Sequence, residues 1–303
     1  NKCLFVFALY IYTALMLWPD TPKIEPVMLR ERVMSIASRS FKGEFKTQAL
    51  RCALNSIDLT TLEGKDTDQR VVQLCQKALD WKTAAVCVYP INIVQAKLFV
   101  NGSGVKVASV AAGFPSAQLP YKLRCKELEY ALSQGADEID VVMNRKLFLQ
   151  GQYKKVYKEI EGFKKLCGSV TLKVILETGE LERLEFIRKA ADIALYAGAD
   201  FIKTSTGKTS VSARNDVVYV MMGALAEYHA QTQKKAGIKA SGGISTSKQA
   251  LQYMALALEV LGPEWMHPQY FRFGASSLAN DIQLQLLKQT LGVYPHTMYI
   301  STD

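Results

Sequence analysis

Residues 138–176 read EIDVVMNRKLFLQGQYKKVYKEIEGFKKLCGSVTLKVIL. The stretch opens on a short β-type run, Glu138-Ile139-Asp140-Val141-Val142, and closes on a second, Leu172-Lys173-Val174-Ile175-Leu176. Between them, residues 152–167 carry the mixed apolar and charged pattern of an amphipathic helix. Strand, covering helix and strand form the unit of a parallel sheet, because parallel neighbours need a crossover connection. Outward from this unit the pattern recurs. Upstream lie β-type runs at 56–58, 84–89 and 105–110; downstream lie runs at 201–204, 237–240 and 271–274. Further amphipathic stretches fall at 121–134, 181–197 and 247–261. Eight strand candidates at a spacing of about 30 residues predict an α/β chain folded as a closed (β/α)8 TIM barrel with right-handed crossovers. An open doubly wound sheet is the alternative. It favours a glycine-rich turn after the first strand, and Asp58-Leu59-Thr60-Thr61-Leu62 has none. Residues 27–56 show helical periodicity with alternating charge and predict one or two extra N-terminal helices before the barrel.

The 303 residues contain no internal linker or low-complexity tract, so residues 21–303 are read as one barrel domain with its leading helices and tail. The first 20 residues are set apart. Cys3 to Trp18 is almost entirely apolar and no acidic residue precedes Asp20. The run is short for a membrane span and long enough for the apolar part of a signal sequence. A targeting segment, an anchor and a gene-model artefact are all open readings, which leaves membrane association undecided. The net charge is +9 and the pI about 9.1, which favours anionic partners. Zinc-finger spacing, RNP-like motifs and arginine-rich arms are missing, so nucleic acid is not expected as a partner. None of the six cysteines forms a CxxC pair, and several sit in apolar contexts; reduced thiols and a cytoplasmic location are expected, with organelle or secretory targeting through residues 1–20 as the alternative.

The chemistry concentrates at Phe201-Ile202-Lys203-Thr204-Ser205-Thr206-Gly207-Lys208. A lysine inside an apolar strand is costly unless it is paired or loses its proton, and a neutral amine attacks carbonyl carbon. In a barrel the C-terminal ends of the strands converge on one mouth. The polar residues marking those strands are Asp58, Asp140, Lys173, Lys203 and Lys239. An internal ion-pair network is the structural alternative, but it leaves two lysines beside phosphate-type turns unexplained. Neighbouring lysines should lower each other's pKa, which yields an amine nucleophile, while Asp140 shuttles protons with Lys239. Barrels often hold phosphate with the loops after strands seven and eight. Here those loops read Ser241-Gly242-Gly243-Ile244 and Gly274-Ala275-Ser276-Ser277, with Gly207-Lys208 after strand six. The combination predicts Schiff-base chemistry on a phosphorylated aldehyde, with no cofactor and no metal site.

From about residue 45 to about 290 the chain resembles the deoxyribose-phosphate aldolases, class I aldolases. The likeness rests on Asp58-Leu59-Thr60-Thr61-Leu62, residues 84–90, Gly135-Ala136-Asp137-Glu138-Ile139-Asp140-Val141-Val142, Glu177-Thr178-Gly179-Glu180, residues 198–208, Gly242-Gly243 and residues 271–278. The resemblance implies reversible cleavage of 2-deoxy-D-ribose 5-phosphate to acetaldehyde and D-glyceraldehyde 3-phosphate. It implies Lys203 as the Schiff-base lysine, Lys239 as the second lysine and Asp140 as the proton-relay acid. It places Asp58, Thr60, Cys87, Lys173, Thr206, Gly207, Lys208, Gly242, Gly243, Gly274, Ser276 and Ser277 around a phosphorylated sugar. A homodimer is a possible assembly. After strand seven the family carries an arginine where this chain has Ser245, which implies weaker phosphate binding. Tyr294 and Tyr299 are the candidates for the tail tyrosine that enters the site in the family. The alternative function is a catalytically weakened barrel that binds an acidic partner as a scaffold.

Overall fold

The structure is a computed structural model and describes residues 17–211 and 213–292. Two helices lead, α1 (Pro26–Ala37) and α2 (Gly43–Asn55). The chain then alternates: β1 (Ile57–Thr60), α3 (Asp68–Trp81), β2 (Ala85–Val88), α4 (Ile93–Val100), β3 (Lys106–Ala111), α5 (Tyr121–Ser133), β4 (Glu138–Val142). It continues with α6 (Arg145–Leu149), α7 (Tyr153–Cys167), β5 (Thr171–Ile175), α8 (Thr178–Leu181), α9 (Leu184–Tyr196), β6 (Phe201–Lys203) and α10 (Asn215–Thr232). It ends with β7 (Gly237–Ser241), α11 (Ser247–Val260), β8 (Phe271–Ala275) and α12 (Leu278–Leu291). Neighbouring strands all pair in parallel, and β8 returns to β1 with Asp58 opposite Gly274, so the sheet closes as a (β/α)8 barrel. The open-sheet alternative is excluded.

Alternation along the strands sorts side chains between two cores. Ile57, Leu59, Val86, Val88, Ile139, Val141, Leu172 and Val174 face outward into the main hydrophobic core beneath the helices. Burying each such side chain is worth about 1.5–3 kcal/mol. Helix α7 shows how the covering layer forms. Val156, Ile160, Phe163 and Cys167 recur at helical spacing and are buried, while its lysines face out; Gly168, at φ +55°, ends it. Inside the barrel, β2 and β3 contribute small apolar residues: Ala85, Cys87, Ala108 and Val110 pack with Leu62. The remaining strands fill the interior with charge.

Near the N-terminal end of the barrel, Phe201 occupies the space a side chain at position 237 would need. A Cβ on Gly237 would lie 2.3 Å from the Phe201 ring. The leading helices complete the helical layer, α2 against α12 and α1 against α11. Leu17 and Trp18, from the segment set apart in the sequence reading, pack on this body; Trp18 stacks on Tyr157 with centroids 5.9 Å apart. Residues 1–16 lie outside the described residues, as do Tyr294 and Tyr299. Among the described residues no helix is long and apolar enough to cross a membrane.

One helix differs from expectation. Residues 181–197 were predicted as a single helix, but Glu182 at φ +58° separates α8 from α9. The cause is tertiary. Glu177, also left-handed at φ +53°, is fully buried and accepts hydrogen bonds from Thr206 in the loop after β6. That connection ties the β5–α9 segment to the β6 loop and overrides local helical preference.

Candidate active site

Strand register assembles the site. It sets Asp140 of β4 beside Lys173 of β5, Lys203 of β6 beside Lys239 of β7, and Lys239 beside Arg272 of β8. Their side chains meet inside the barrel. Lys203 Nζ and Lys239 Nζ both donate to Asp140 Oδ2 at 2.8 Å, and Lys173 Nζ donates to Oδ1 at 3.0 Å. One layer deeper, Lys239 contacts Asp58 at 2.5 Å and Lys173 contacts Glu138 at 2.5 Å. Arg272 bridges Asp58 at 2.5 Å and Glu138 at 2.8 Å. All seven side chains are at most 6% exposed.

Charge balance singles out one member. Four cations (Lys173, Lys203, Lys239 and Arg272) face three carboxylates (Asp58, Glu138 and Asp140), an excess of one positive charge among buried side chains. Burial pushes the Asp140 carboxyl up, but Lys173, Lys203 and Lys239 outweigh it and hold it well below the usual carboxylate range. Asp58 is likewise held low by Lys173, Lys239 and Arg272 against its burial. Burial pulls Lys173 and Lys239 down, yet Asp140 and Asp58 more than compensate, so both ammonium groups are held above the ordinary lysine value. Lys203 goes the other way. Its burial dominates, Asp140 is its main opposing partner, and Lys239 adds repulsion, so its pKa falls. With Lys203 neutral the cluster carries three charges of each sign.

One expectation is corrected here. The lysines do not lower one another symmetrically: Lys239 stays protonated because it touches two carboxylates, and Lys203 touches one. Asp140 is held as an anion, so in the resting site it accepts hydrogen bonds from all three lysines.

Above Lys203 lies a cavity of about 270 Å³. Lys203 lines it together with nine of the twelve residues expected around the substrate: Thr60, Thr206, Gly207, Lys208, Gly242, Gly243, Gly274, Ser276 and Ser277. Lys203 is the one member of the charge cluster on its wall. Asp140, Lys239, Asp58, Lys173 and Cys87 are not on the wall; each is fully buried. Asp58, Lys173 and Cys87 thus sit behind the wall of the cavity. Asp58 and Lys173 are spent on the ion-pair network, and Cys87 belongs to the apolar cluster on β2 and β3, where burial pushes its thiol pKa up.

The cavity's upper wall is built from glycine and serine loops. Gly242 and Gly243 follow β7 at φ +89° and +68°, a conformation that suits glycine and can turn successive N–H groups toward a bound anion. Ser276 and Ser277 lead into α12, whose first N–H groups lack intrahelical partners. The loops are tied together: Ser241 Oγ donates to Ser205 O at 2.5 Å, and Thr204 Oγ1 donates to Ser241 O at 2.9 Å. Lys208 borders this wall and donates to Glu63 at 2.7 Å.

Sequence reasoning gave no site role to Glu138, Arg272, Glu177 and Arg70. The first two had a legible signal, a charge two residues from another inward-facing position in an apolar strand. Glu177 and Arg70 had none, because loop packing brings them to the site. A larger cavity of about 1070 Å³ lies between α1 and α11, but it contains no member of the charge cluster.

Fold and site together define a (β/α)8 enzyme built around a buried amine on the wall of a glycine- and serine-lined cavity. The model of the DeoC/LacD family aldolases matches residues 52–283, and the chain belongs to that family. It is 43% identical over 287 residues to the deoxyribose-phosphate aldolase of Homo sapiens, covering 89% of this chain and 90% of that one. It is also 43% identical over 296 residues to the enzyme of that name from Mus musculus, covering 91% and 93%. Among solved structures, the tetrameric deoxyribose phosphate aldolase from Aeropyrum pernix superposes with a TM-score of 0.63 at 27% identity, covering 84% of this chain and all of that one.

Proposed function

We propose that the chain is a class I aldolase that reversibly cleaves 2-deoxy-D-ribose 5-phosphate to acetaldehyde and D-glyceraldehyde 3-phosphate. The observation that carries this reading is the position of Lys203. It is the cluster member with a lowered pKa and also the cluster member on the cavity wall. The neutral amine adds to the C1 carbonyl of the open-chain sugar, and loss of water leaves a protonated imine. The C3 hydroxyl then gives up its proton to solvent water. Its electrons form the new C3 carbonyl, the C2–C3 bond breaks, and the bonding pair moves into the C1–C2 enamine, quenching the iminium charge. Glyceraldehyde 3-phosphate leaves, C2 takes up a proton, and water releases acetaldehyde and the free amine.

In this scheme Lys239, on the same carboxylate oxygen as Lys203, holds the proton destined for C2, and the Asp140 anion orients both nitrogens. The cradle of Gly207, Lys208, Gly242, Gly243, Ser276 and Ser277 holds the 5-phosphate, which keeps C1 over Lys203. Lys173 and Asp58 hold the charge pattern in which the Lys203 pKa is lowered. Incubation with substrate and borohydride, followed by peptide mapping, tests the reading. The added mass should sit on Lys203; mass on another lysine, or none, refutes it.

We also propose a homodimeric, cytoplasmic enzyme. Exposed Ile91, Val94, Leu98 and Phe99 on and beside α4 support self-association. The five described cysteines are unpaired, in keeping with a reducing compartment. Light scattering and cell fractionation test these two points.

A further inference from the structure

Arg70 lies on α3, the helix after β1, yet it lines the same cavity as Gly242, Gly243, Ser276 and Lys208. Its attachment is unusual. Nε lies 3.1 Å from Asp66 Oδ1 and 3.3 Å from Thr61 Oγ1. The Asp66 carboxylate is itself almost fully buried and takes hydrogen bonds from the Thr61 hydroxyl at 2.8 Å and the Glu63 N–H at 2.9 Å. One edge of the guanidinium is thus fastened to the β1 loop, while its side chain stays half exposed. Nη1 and Nη2 have no protein partner among the described residues. A planar fork held at Nε, with both terminal nitrogens free at the rim of a glycine- and serine-lined cavity, matches two oxygens of a phosphoryl group. Lys208, the neighbouring cation, is already engaged by Glu63. Ser245, on the same wall, offers no charge, and its N–H is spent on Gln249 Oε1.

We propose that Arg70 is the specificity-determining cation of the cradle and grips the substrate phosphate bidentately from the β1 side. The position that lacks a cation after β7 is thereby compensated from the opposite lip. This rests on the aldolase reading for the identity of the phosphate's carrier, but the binding chemistry does not.

Two measurements separate the two ideas. The first compares kcat/KM for 2-deoxyribose 5-phosphate with kcat/KM for unphosphorylated 2-deoxyribose. In Arg70→Gln the ratio should fall roughly 5- to 30-fold, the range for one charge-assisted contact at a half-exposed site. Arg70→Lys should recover part of the loss, because a point charge replaces the fork. Ser245→Arg added to Arg70→Gln should also restore the preference. The second measurement is the dissociation constant of inorganic phosphate by calorimetry, which should weaken by a similar factor in Arg70→Gln whether or not the protein turns over the sugar. A wild type that binds phosphate through Arg70 but does not cleave the sugar would refute the aldolase reading and leave Arg70 as an anion site. A ratio and a phosphate affinity both within twofold of wild type would overturn the Arg70 assignment.

Discussion

Replacing Lys239 by Met should switch the charge state of Lys203. Both lysine nitrogens lie 2.8 Å from one Asp140 oxygen, so they are no more than about 5.6 Å apart, twice that distance. At an effective dielectric constant of about 20, two unit charges at that separation repel by about 3 kcal/mol. Removing the repulsion raises the Lys203 pKa, and about 3 kcal/mol corresponds to a change on the order of 100-fold in the neutral fraction. Asp140, relieved of one amine, acts in the same direction. The charge count agrees: without Lys239, three cations including a protonated Lys203 face three carboxylates. The sign follows. Lys203 attacks as the free amine, so the rate rises with pH through its pKa, and the variant's rise should lie at higher pH than that of the native protein. At a fixed pH below both values imine formation falls about 100-fold and raising the pH recovers it, while turnover stays lower because the C2 proton donor is gone. The assay is kcat/KM against pH, with circular dichroism to verify folding and borohydride trapping at each pH to follow imine formation directly. A pH midpoint that stays within half a unit of the native one, or moves down, refutes the proposition that Lys239 holds Lys203 neutral.

Lys203→Ala and Lys203→Arg should both abolish turnover and trapping, since one lacks the amine and the other stays protonated; residual trapping on the same peptide would exclude Lys203 as the nucleophile. Asp140→Asn should cut kcat by about 10²-fold or more and destabilise the fold by about 3–5 kcal/mol, because three buried amines lose their shared anion. Rate assays and urea melts read the two effects separately, and a variant as stable as the native protein would argue against a fully charged cluster. Gly237→Ala should lower stability by about 1–3 kcal/mol by driving a methyl into the Phe201 ring, which sits below the site. A thermal melt unchanged from wild type would mean that this layer of the barrel is loosely packed.

Much of this protein was legible in its sequence. Runs such as Glu138–Val142 and Thr171–Ile175 fall about 30 residues apart with an amphipathic helix between, and that alternation leaves a parallel sheet as the arrangement that buries every apolar face. Lys203 stood out for a local reason, an ammonium in an apolar strand before a glycine turn. Tertiary structure decided the rest, because charge state is a property of neighbours. Lys203 and Lys239 look alike as single residues in strands. Register gives Lys239 two carboxylates and Lys203 one, and only the closed barrel brings Asp58, Glu138 and Arg272, from the first, fourth and last strands, into one network. Arg70 is the limiting case. No periodicity marks it, and it joins the cradle because closure of the sheet sets the β1 loop beside the β8 loop. Patterns of hydrophobicity act along the chain and can be read there; electrostatic balance and anion geometry depend on distances across the barrel, which the chain acquires only by folding.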